Sequence, residues 1–312
     1  MDDVPLRLGT RGSALAMVQT NMVADALRRA HPSLSVDTVT IETSGDWKPA
    51  NGETRLCEAA GGKGLFAKEI EQALMTGRID AGIHSLKDMP SFLPEGLALD
   101  HVFPREDSRD AFLSNRYETL DALPPGAIVG TSSLRRQAMI LAKRPDLKIV
   151  PFRGNVPTRI EKLRAEQVDA TLLAVAGLKR LDLTHEIAAI LEPEDMLPAA
   201  GQGIVGIETR TDDSRTRNLF DPLHCSKTGL CAAAERAALQ ALDGSCHTPI
   251  GAHAVFADGR MHLHVMVAAP DGGNIWTAQE TENVTNREEA AALGRKLGSL
   301  LEKQVPAEVL GR

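Results

Sequence analysis

Leu8-Gly9-Thr10-Arg11-Gly12-Ser13 and, later in the chain, Val129-Gly130-Thr131-Ser132-Ser133-Leu134 are two versions of one local design. Each closes a short strand-like run and opens a helical one, with a serine placed to cap the helix. Ahead of the first, Val4 to Gly9 reads as a strand. Behind it, Leu15, Val18, Met22, Val23, Ala26 and Leu27 form the i, i+3, i+4 stripe of an amphipathic helix. Val36 to Thr43, rich in Val, Thr and Ile, reads as a second strand. A second echo follows the first: Arg78-Ile79-Asp80-Ala81 returns as Gln167-Val168-Asp169-Ala170, each ahead of a strand. Alternating strands and helices define an α/β chain. Two echoes in the same order predict two similar lobes facing each other across a cleft, with strand ends and helix N-termini pointing inward.

Between the echoes, Gly45, Gly52, Gly61, Gly62 and Gly64 predict a loop, and Phe66 to Met75 a helix stopped by Gly77. Beyond about Asp221 the texture changes. Gly229 to Ala241 reads as an Ala-rich helix ending at Asp243-Gly244. Strands at His253 to Phe256 and Met261 to Val267 follow, then an amphipathic helix from about Arg287 to Leu301. This predicts a separate small α+β domain.

The 312 residues suffice for two or three compact domains. At 43% apolar and 25% charged, the chain falls outside the disordered and fibrous classes. No apolar run approaches the roughly 20 residues that span a bilayer. Met1-Asp2-Asp3 lacks the basic end and apolar stretch of a secretory signal. A cytoplasmic location without a membrane partner is therefore expected. A net charge of −7 and 3% aromatic residues argue against a nucleic-acid partner, which needs a positive field and stacking rings. Cys57, Cys225, Cys231 and Cys246 match neither a zinc spacing nor a C-x-x-C pair, so the default is four free thiols, mostly buried.

Several motifs fail on context. Gly201-Gln202-Gly203-Ile204-Val205-Gly206 fits the dinucleotide fingerprint, but no strand precedes it and a strand, not a helix, follows. Gly62-Lys63 resembles a P-loop, yet Cys57 replaces its first glycine and Gly64 its Ser/Thr. His262 and His264 share a strand face without a third ligand, so no metal site is expected and the face should be solvated.

The arginines are more telling. Arg11, Arg135, Arg136, Arg153, Arg159 and Arg180 each follow a predicted strand. Cations are disfavoured at helix N-termini, so several gathered there imply an external anion. Guanidinium forks match carboxylates, which makes a polycarboxylate the natural ligand. Asp88, in His84-Ser85-Leu86-Lys87-Asp88-Met89-Pro90, would face that cleft at a strand end. An ionised carboxylate there suits a reaction passing through a cation, although a helix cap or structural ion pair fits equally well. Cys246 lies in a loop after a helix, beside His247 and between Gly244 and Pro249. A neighbouring His could make it a reactive thiol, but from these residues alone a buried structural cysteine is the better reading.

Together these strings have a precedent. Thr10-Arg11-Gly12-Ser13-Ala14-Leu15-Ala16, Gly61-Gly62-Lys63-Gly64-Leu65-Phe66, the His84–Pro90 segment, Gly130-Thr131-Ser132-Ser133-Leu134-Arg135-Arg136-Gln137, Arg153-Gly154-Asn155-Val156-Pro157-Thr158-Arg159, Ala174 to Leu181, Pro198 to Gly203 and Gly244 to Ala252 occur in this order. In this the chain resembles the hydroxymethylbilane synthase (porphobilinogen deaminase) family over nearly its whole length. The resemblance implies two periplasmic-binding-protein-like lobes around a cleft plus a small C-terminal α+β domain. Lobe one would be residues 1–103 and 204–221, lobe two 109–198, and the C-terminal domain, with the cofactor cysteine, 226–312.

It further implies a dipyrromethane cofactor in thioether linkage to Cys246. Four porphobilinogen molecules add in turn, each losing ammonia, and water releases a linear tetrapyrrole. Asp88 would be the catalytic carboxylate. Ser85, Lys87, Thr131, Ser133, Arg135, Arg136 and Gln202 would hold the cofactor, and Arg11, Ser13, Lys63, Arg153, Arg159 and Arg180 the substrate. Ala59 stands where some members carry a lysine, so any cofactor contact from there is lost. The stretch from about Asp46 to Gly62 is expected to be a flexible lid, and the protein a monomer. Two rivals remain: a non-catalytic organic-anion-binding protein of the same two-lobed fold, which leaves Cys246 and the third domain unexplained, and a Schiff-base enzyme using Lys63 or Lys87.

Overall fold

The computed structural model describes residues 5–44, 66–242 and 248–311. Four strands open the chain: β1 (Leu6–Arg11), β2 (Val36–Ile41), β3 (Ala81–Ser85) and β4 (Leu97–Val102). Then come β5 (Asp110–Leu113), β6 (Ile128–Gly130), β7 (Lys148–Val150), β8 (Ala170–Ala174), β9 (Ala189–Leu191) and β10 (Val205–Arg210). They form two five-stranded sheets of one plan, ordered β2-β1-β3-β10-β4 and β7-β6-β8-β5-β9. In the first, β1 runs parallel to β2 and β3, and β10 runs antiparallel to β3 and β4. In the second, β6 runs parallel to β7 and β8, and β5 antiparallel to β8 and β9. The short echoes in the sequence thus mark a repeat of whole lobes. The chain crosses between the sheets twice, from β4 to β5 and back from β9 to β10.

Helices α1 (Ala14–Ala30), α2 (Lys68–Met75), α3 (Leu134–Lys143), α4 (Val156–Arg164), α5 (Val175–Arg180) and α6 (Ser214–Phe220) flank these sheets. The repeated serines serve as N-caps: Ser13 Oγ accepts from the Ala16 amide and Ser133 Oγ from the Arg136 amide. Asn155 caps α4 in the same way. These caps set where each helix starts, at the cleft-facing end of a strand.

The C-terminal part comprises α7 (Ser226–Ala241), the antiparallel sheet of β11 (Ile250–Ala257), β12 (Arg260–Ala268) and β13 (Ile275–Glu282), and α8 (Arg287–Glu302). The third strand, β13, went unread in the sequence. It is an edge strand in which only Ala278 is buried, so it lacks the apolar alternation that betrays a strand. The alanines of α7 let α8 pack close. A Cβ at Gly294 would lie 2.0 Å from the Ala234 carbonyl oxygen, so only glycine fits. β12 serves two cores: Leu263, Val265 and Val267 face the two helices, while Met266 and Ala268 join the core of lobe two. His262 and His264 lie on that second face, which is therefore not simply solvated, and burial lowers the pKa of His264.

Among the described residues no helix is long and apolar enough to cross a membrane, and no group of His, Cys, Asp or Glu could hold a metal ion. Cys225 and Cys231 are free thiols, and burial pushes that of Cys231 up to about 12.

One polar cluster lies beneath the first sheet. His84 Nε2 sits 3.1 Å from Glu208 Oε2, and both side chains are buried. Burial, with Glu208 close by, pushes the nearby carboxyl of Glu71 from its ordinary 4.5 up to about 7. A carboxyl whose pKa rises on folding contributes stability that is full below about 4.5 and lost as pH climbs through 7. Glu71→Gln should therefore raise the unfolding temperature at pH 8, with the gain shrinking toward zero by about pH 5, measured by thermal melts across that range.

Candidate active site

A cavity of about 1120 Å³ separates the two sheets. Both lobes line it, as do the turn from Ala199 to Ile204 and Leu239, Thr248 and Ile250 of the C-terminal domain. Its described lining carries eight cationic side chains, Arg11, Lys87, Arg135, Arg136, Arg153, Arg159, Lys162 and Arg180, against two carboxylates, Asp88 and Glu161. In a protein of net charge −7 that is a strongly local concentration of positive charge.

The organising group is Asp110, at the head of β5 and fully buried. Arg135 donates from Nη2 to its Oδ2 at 2.7 Å, and Arg136 from Nη2 to its Oδ1 at 2.7 Å. The remaining Nη atoms donate to the carbonyls of Leu197 and Leu172. Gln202 adds a bond from Nε2 to Asp110 Oδ1 at 3.0 Å. The two guanidinium groups hold the Asp110 carboxyl far below the usual range despite burial, which acts the other way.

Sequence reasoning missed this carboxylate. The signal was present: an acidic residue heading the fully buried run Ala111-Phe112-Leu113 requires a charged partner. The external-anion argument therefore needs correction for Arg135 and Arg136, because an internal anion balances part of their charge. Their Nε atoms are nonetheless buried without a hydrogen-bond partner, as is that of Arg180.

Gln202 is placed by a turn between two left-handed glycines, Gly201 (φ +73°) and Gly203 (φ +87°). A Cβ at Gly203 would meet the Glu106 carbonyl oxygen at 2.3 Å, so the close packing of the crossover turn itself requires this glycine. The turn is itself pinned to the C-terminal domain. Glu235 of α7 accepts from the Gly201 amide at 2.7 Å and from Arg105 through both oxygens, at 2.8 and 2.7 Å.

Asp88 ends the 3-10 turn Leu86–Asp88 that follows β3. Leu86 is buried in the lobe, which leaves Asp88 exposed at the cavity wall. Next to it, Lys87 donates from Nζ to Gln202 Oε1 at 3.3 Å. Burial, with Arg136 adding repulsion, lowers its pKa to about 8, against the opposing pull of Asp88 and Asp110. Ser85 exchanges hydrogen bonds with Gln19 of α1, another cavity residue the sequence reading passed over.

The other expected site residues sort as follows. Arg11 lies 4.0 Å over the Phe66 ring at the cavity edge. Ser13, Ser133, Arg153, Arg159, Arg180 and Gln202 also line the cavity. Arg159 donates from Nε to the Gly154 carbonyl. Arg180 ends a helix rather than opening one, and donates to the Gly203 carbonyl at 2.8 Å. Its placement owes nothing to the N-terminal dipole argument. Thr131 is not among the described lining residues, and its hydroxyl accepts from the Ser133 amide in a local turn. Lys63, Cys246, Cys57, Ala59 and the 46–62 stretch lie outside the described residues.

The fold and cavity define a two-lobed protein with a cation-lined cleft, in which Asp88 and Glu161 are the carboxylates of the described lining. The family model for the porphobilinogen deaminase dipyromethane cofactor binding domain matches residues 6–218, and that for the porphobilinogen deaminase C-terminal domain matches residues 229–303. The chain belongs to the porphobilinogen deaminase family. It is 50% identical over 294 residues to the porphobilinogen deaminase of Nitrobacter hamburgensis, covering 94% of this chain and 91% of that one. It is 46% identical over 305 residues to that of Paraburkholderia phytofirmans, covering 98% and 88%. Among solved structures it is similar to the methionine-binding protein MetQ, at a TM-score of 0.46 and 18% identity, covering 75% of this chain and 96% of that one.

Removing the charge of Asp110 would leave two buried guanidinium groups without their counter-ion. Asp110→Asn should cost about 3–5 kcal/mol, the scale for breaking a buried ion pair from one side. Denaturant unfolding of the full-length protein measures it.

Proposed function

We propose that the cavity condenses four porphobilinogen molecules head to tail, beginning on a dipyrromethane held by Cys246, and releases a linear tetrapyrrole with water. Four ammonia molecules leave, one for each unit added, so the enzyme is a transferase of tetrapyrrole (haem and porphyrin) biosynthesis. The observation that carries this reading is the excess of cationic over anionic side chains around the cavity. Each pyrrole brings an acetate and a propionate, so the growing chain gathers the negative charge that such a lining neutralises.

The residues fit a carboxylate-bearing cofactor. Arg135 and Arg136 keep buried Nε–H donors unspent, at a wall already fixed by Asp110. With Ser85, Lys87, Ser133 and Gln202 they would hold the dipyrromethane, Thr131 acting from behind the wall through its bond to the Ser133 amide. When bound, that group supplies the carbon nucleophile on which the product is built and keeps the product tethered.

Arg11, Ser13, Lys63, Arg153, Arg159 and Arg180 would hold substrate carboxylates. Asp88 would face the positive charge that develops on the substrate as ammonia departs, and receive or return the proton on the pyrrole nitrogen. Its exposure at the cavity wall, next to Lys87, suits that role. The domain division is read as 1–103 with 204–221, then 109–198, then 226–312. The working state is read as a cytoplasmic monomer without a nucleic-acid partner.

Intact mass with peptide mapping tests the reading. The purified protein, or the protein after incubation with porphobilinogen, should carry two condensed pyrrole units on Cys246. If nothing attaches, the chain is an anion-binding protein and the enzymatic reading fails. Asp88→Asn should keep fold and cofactor while turnover falls on the order of 10²-fold or more, the scale for removing a key electrostatic group. A steady-state assay checks it.

A further inference from the structure

The C-terminal domain also grips the segment that follows Asp88. Arg236 of α7 donates from Nη2 to the Pro90 carbonyl at 2.9 Å and to the Ser91 carbonyl at 3.3 Å. Gln240, one helical turn on, donates from Nε2 to the Ser91 carbonyl at 2.7 Å. The i, i+4 spacing puts both donors on one face of α7. Neither residue is among the described lining of the cavity. These bonds of Arg236 go to main-chain carbonyls rather than to a carboxylate, and burial lowers its pKa to about 10. A charged group desolvated to hold backbone serves geometry rather than charge balance.

The helix that makes this grip cannot drift. Its Glu235 is locked to Arg105, to the Gly201 amide and to the Ala254 amide at 2.7 Å. One rigid element therefore touches both the Asp88 segment and the Gln202 turn.

We propose that Arg236 and Gln240 are positioning residues that hold Asp88 in register with the Gln202 turn of the cavity wall. The proposal rests on the reading that Asp88 is the catalytic carboxylate. Without the grip, the segment after β3 keeps its fold but loses its fixed relation to α7 and the Gln202 turn. A displacement of about 1 Å at a reacting group costs on the order of 10²-fold in rate. The arginine-lined wall is untouched by these two side chains, so substrate affinity should hold.

The test uses full-length Arg236→Met, Gln240→Leu and Arg236→Lys proteins, each weighed intact before assay. All should carry the same cofactor mass as the parent. For Arg236→Met and Gln240→Leu, kcat should fall by about 10- to 100-fold while KM stays within about twofold, the pattern of a lost transition-state alignment. Arg236→Lys, which keeps a donor and the charge, should recover part of the loss. If Arg236→Met does not fold, Gln240→Leu, a milder change at a half-buried site, still decides. Loaded variants that turn over within about twofold of the parent overturn the positioning role. Raised KM with unchanged kcat overturns it as well. A parent with no added mass and no uptake of porphobilinogen overturns the functional reading, and this proposal with it.

Discussion

Asp110 carries a charge in the interior of the protein, and Arg135, Arg136 and Gln202 make that tolerable. An isolated carboxylate so deeply buried would cost many kcal/mol, and two guanidinium groups without it would cost more. Each side is therefore a condition for the other. Asp110 opens β5, the arginines open α3, and Gln202 belongs to the crossover turn. The one ionic knot thus fixes a strand, a helix and the return path of the chain. Its effect on the cavity is preorganisation: the positive wall is in place before any ligand arrives, so little reorientation is needed when negative charge enters.

Much of the architecture was legible because local and global signals agreed. The repeated serine caps, the echoed strand entries and the apolar stripe of α1 each had a local cause that tertiary packing did not override. What escaped was set by partners far away in sequence. Asp110 makes sense only beside Arg135 and Arg136, and Gln19 only beside Ser85. The edge strand β13 carried too few buried side chains to announce itself. The arginine cluster was legible as a set, yet its members differ in kind: two are tied to an internal anion, and one ends a helix rather than opening it. Spacing could not distinguish these cases, since the distinction lies in what each guanidinium meets once the chain is folded.

The C-terminal domain changes what the two-lobed frame can do. Its sheet adds Met266 and Ala268 to the core of lobe two, while its helix α7 holds the Asp88 segment of lobe one and the crossover turn. Two lobes bridged by a third body form a braced frame. That suits a site in which a covalent tether, rather than closure, retains the bound chain.

The exchange of strands between the sheets bears on how the chain is made. β10 lies between β3 and β4, so the first sheet cannot be completed until the whole of the second lobe has left the ribosome. Until then β3 and β4 present unpaired edges across a gap, a template for wrong partners. The native pairing of β10 with β3 joins residues more than a hundred positions apart, a contact that forms late and slowly. In the nascent chain, the first lobe to be started thus closes only after the second has emerged.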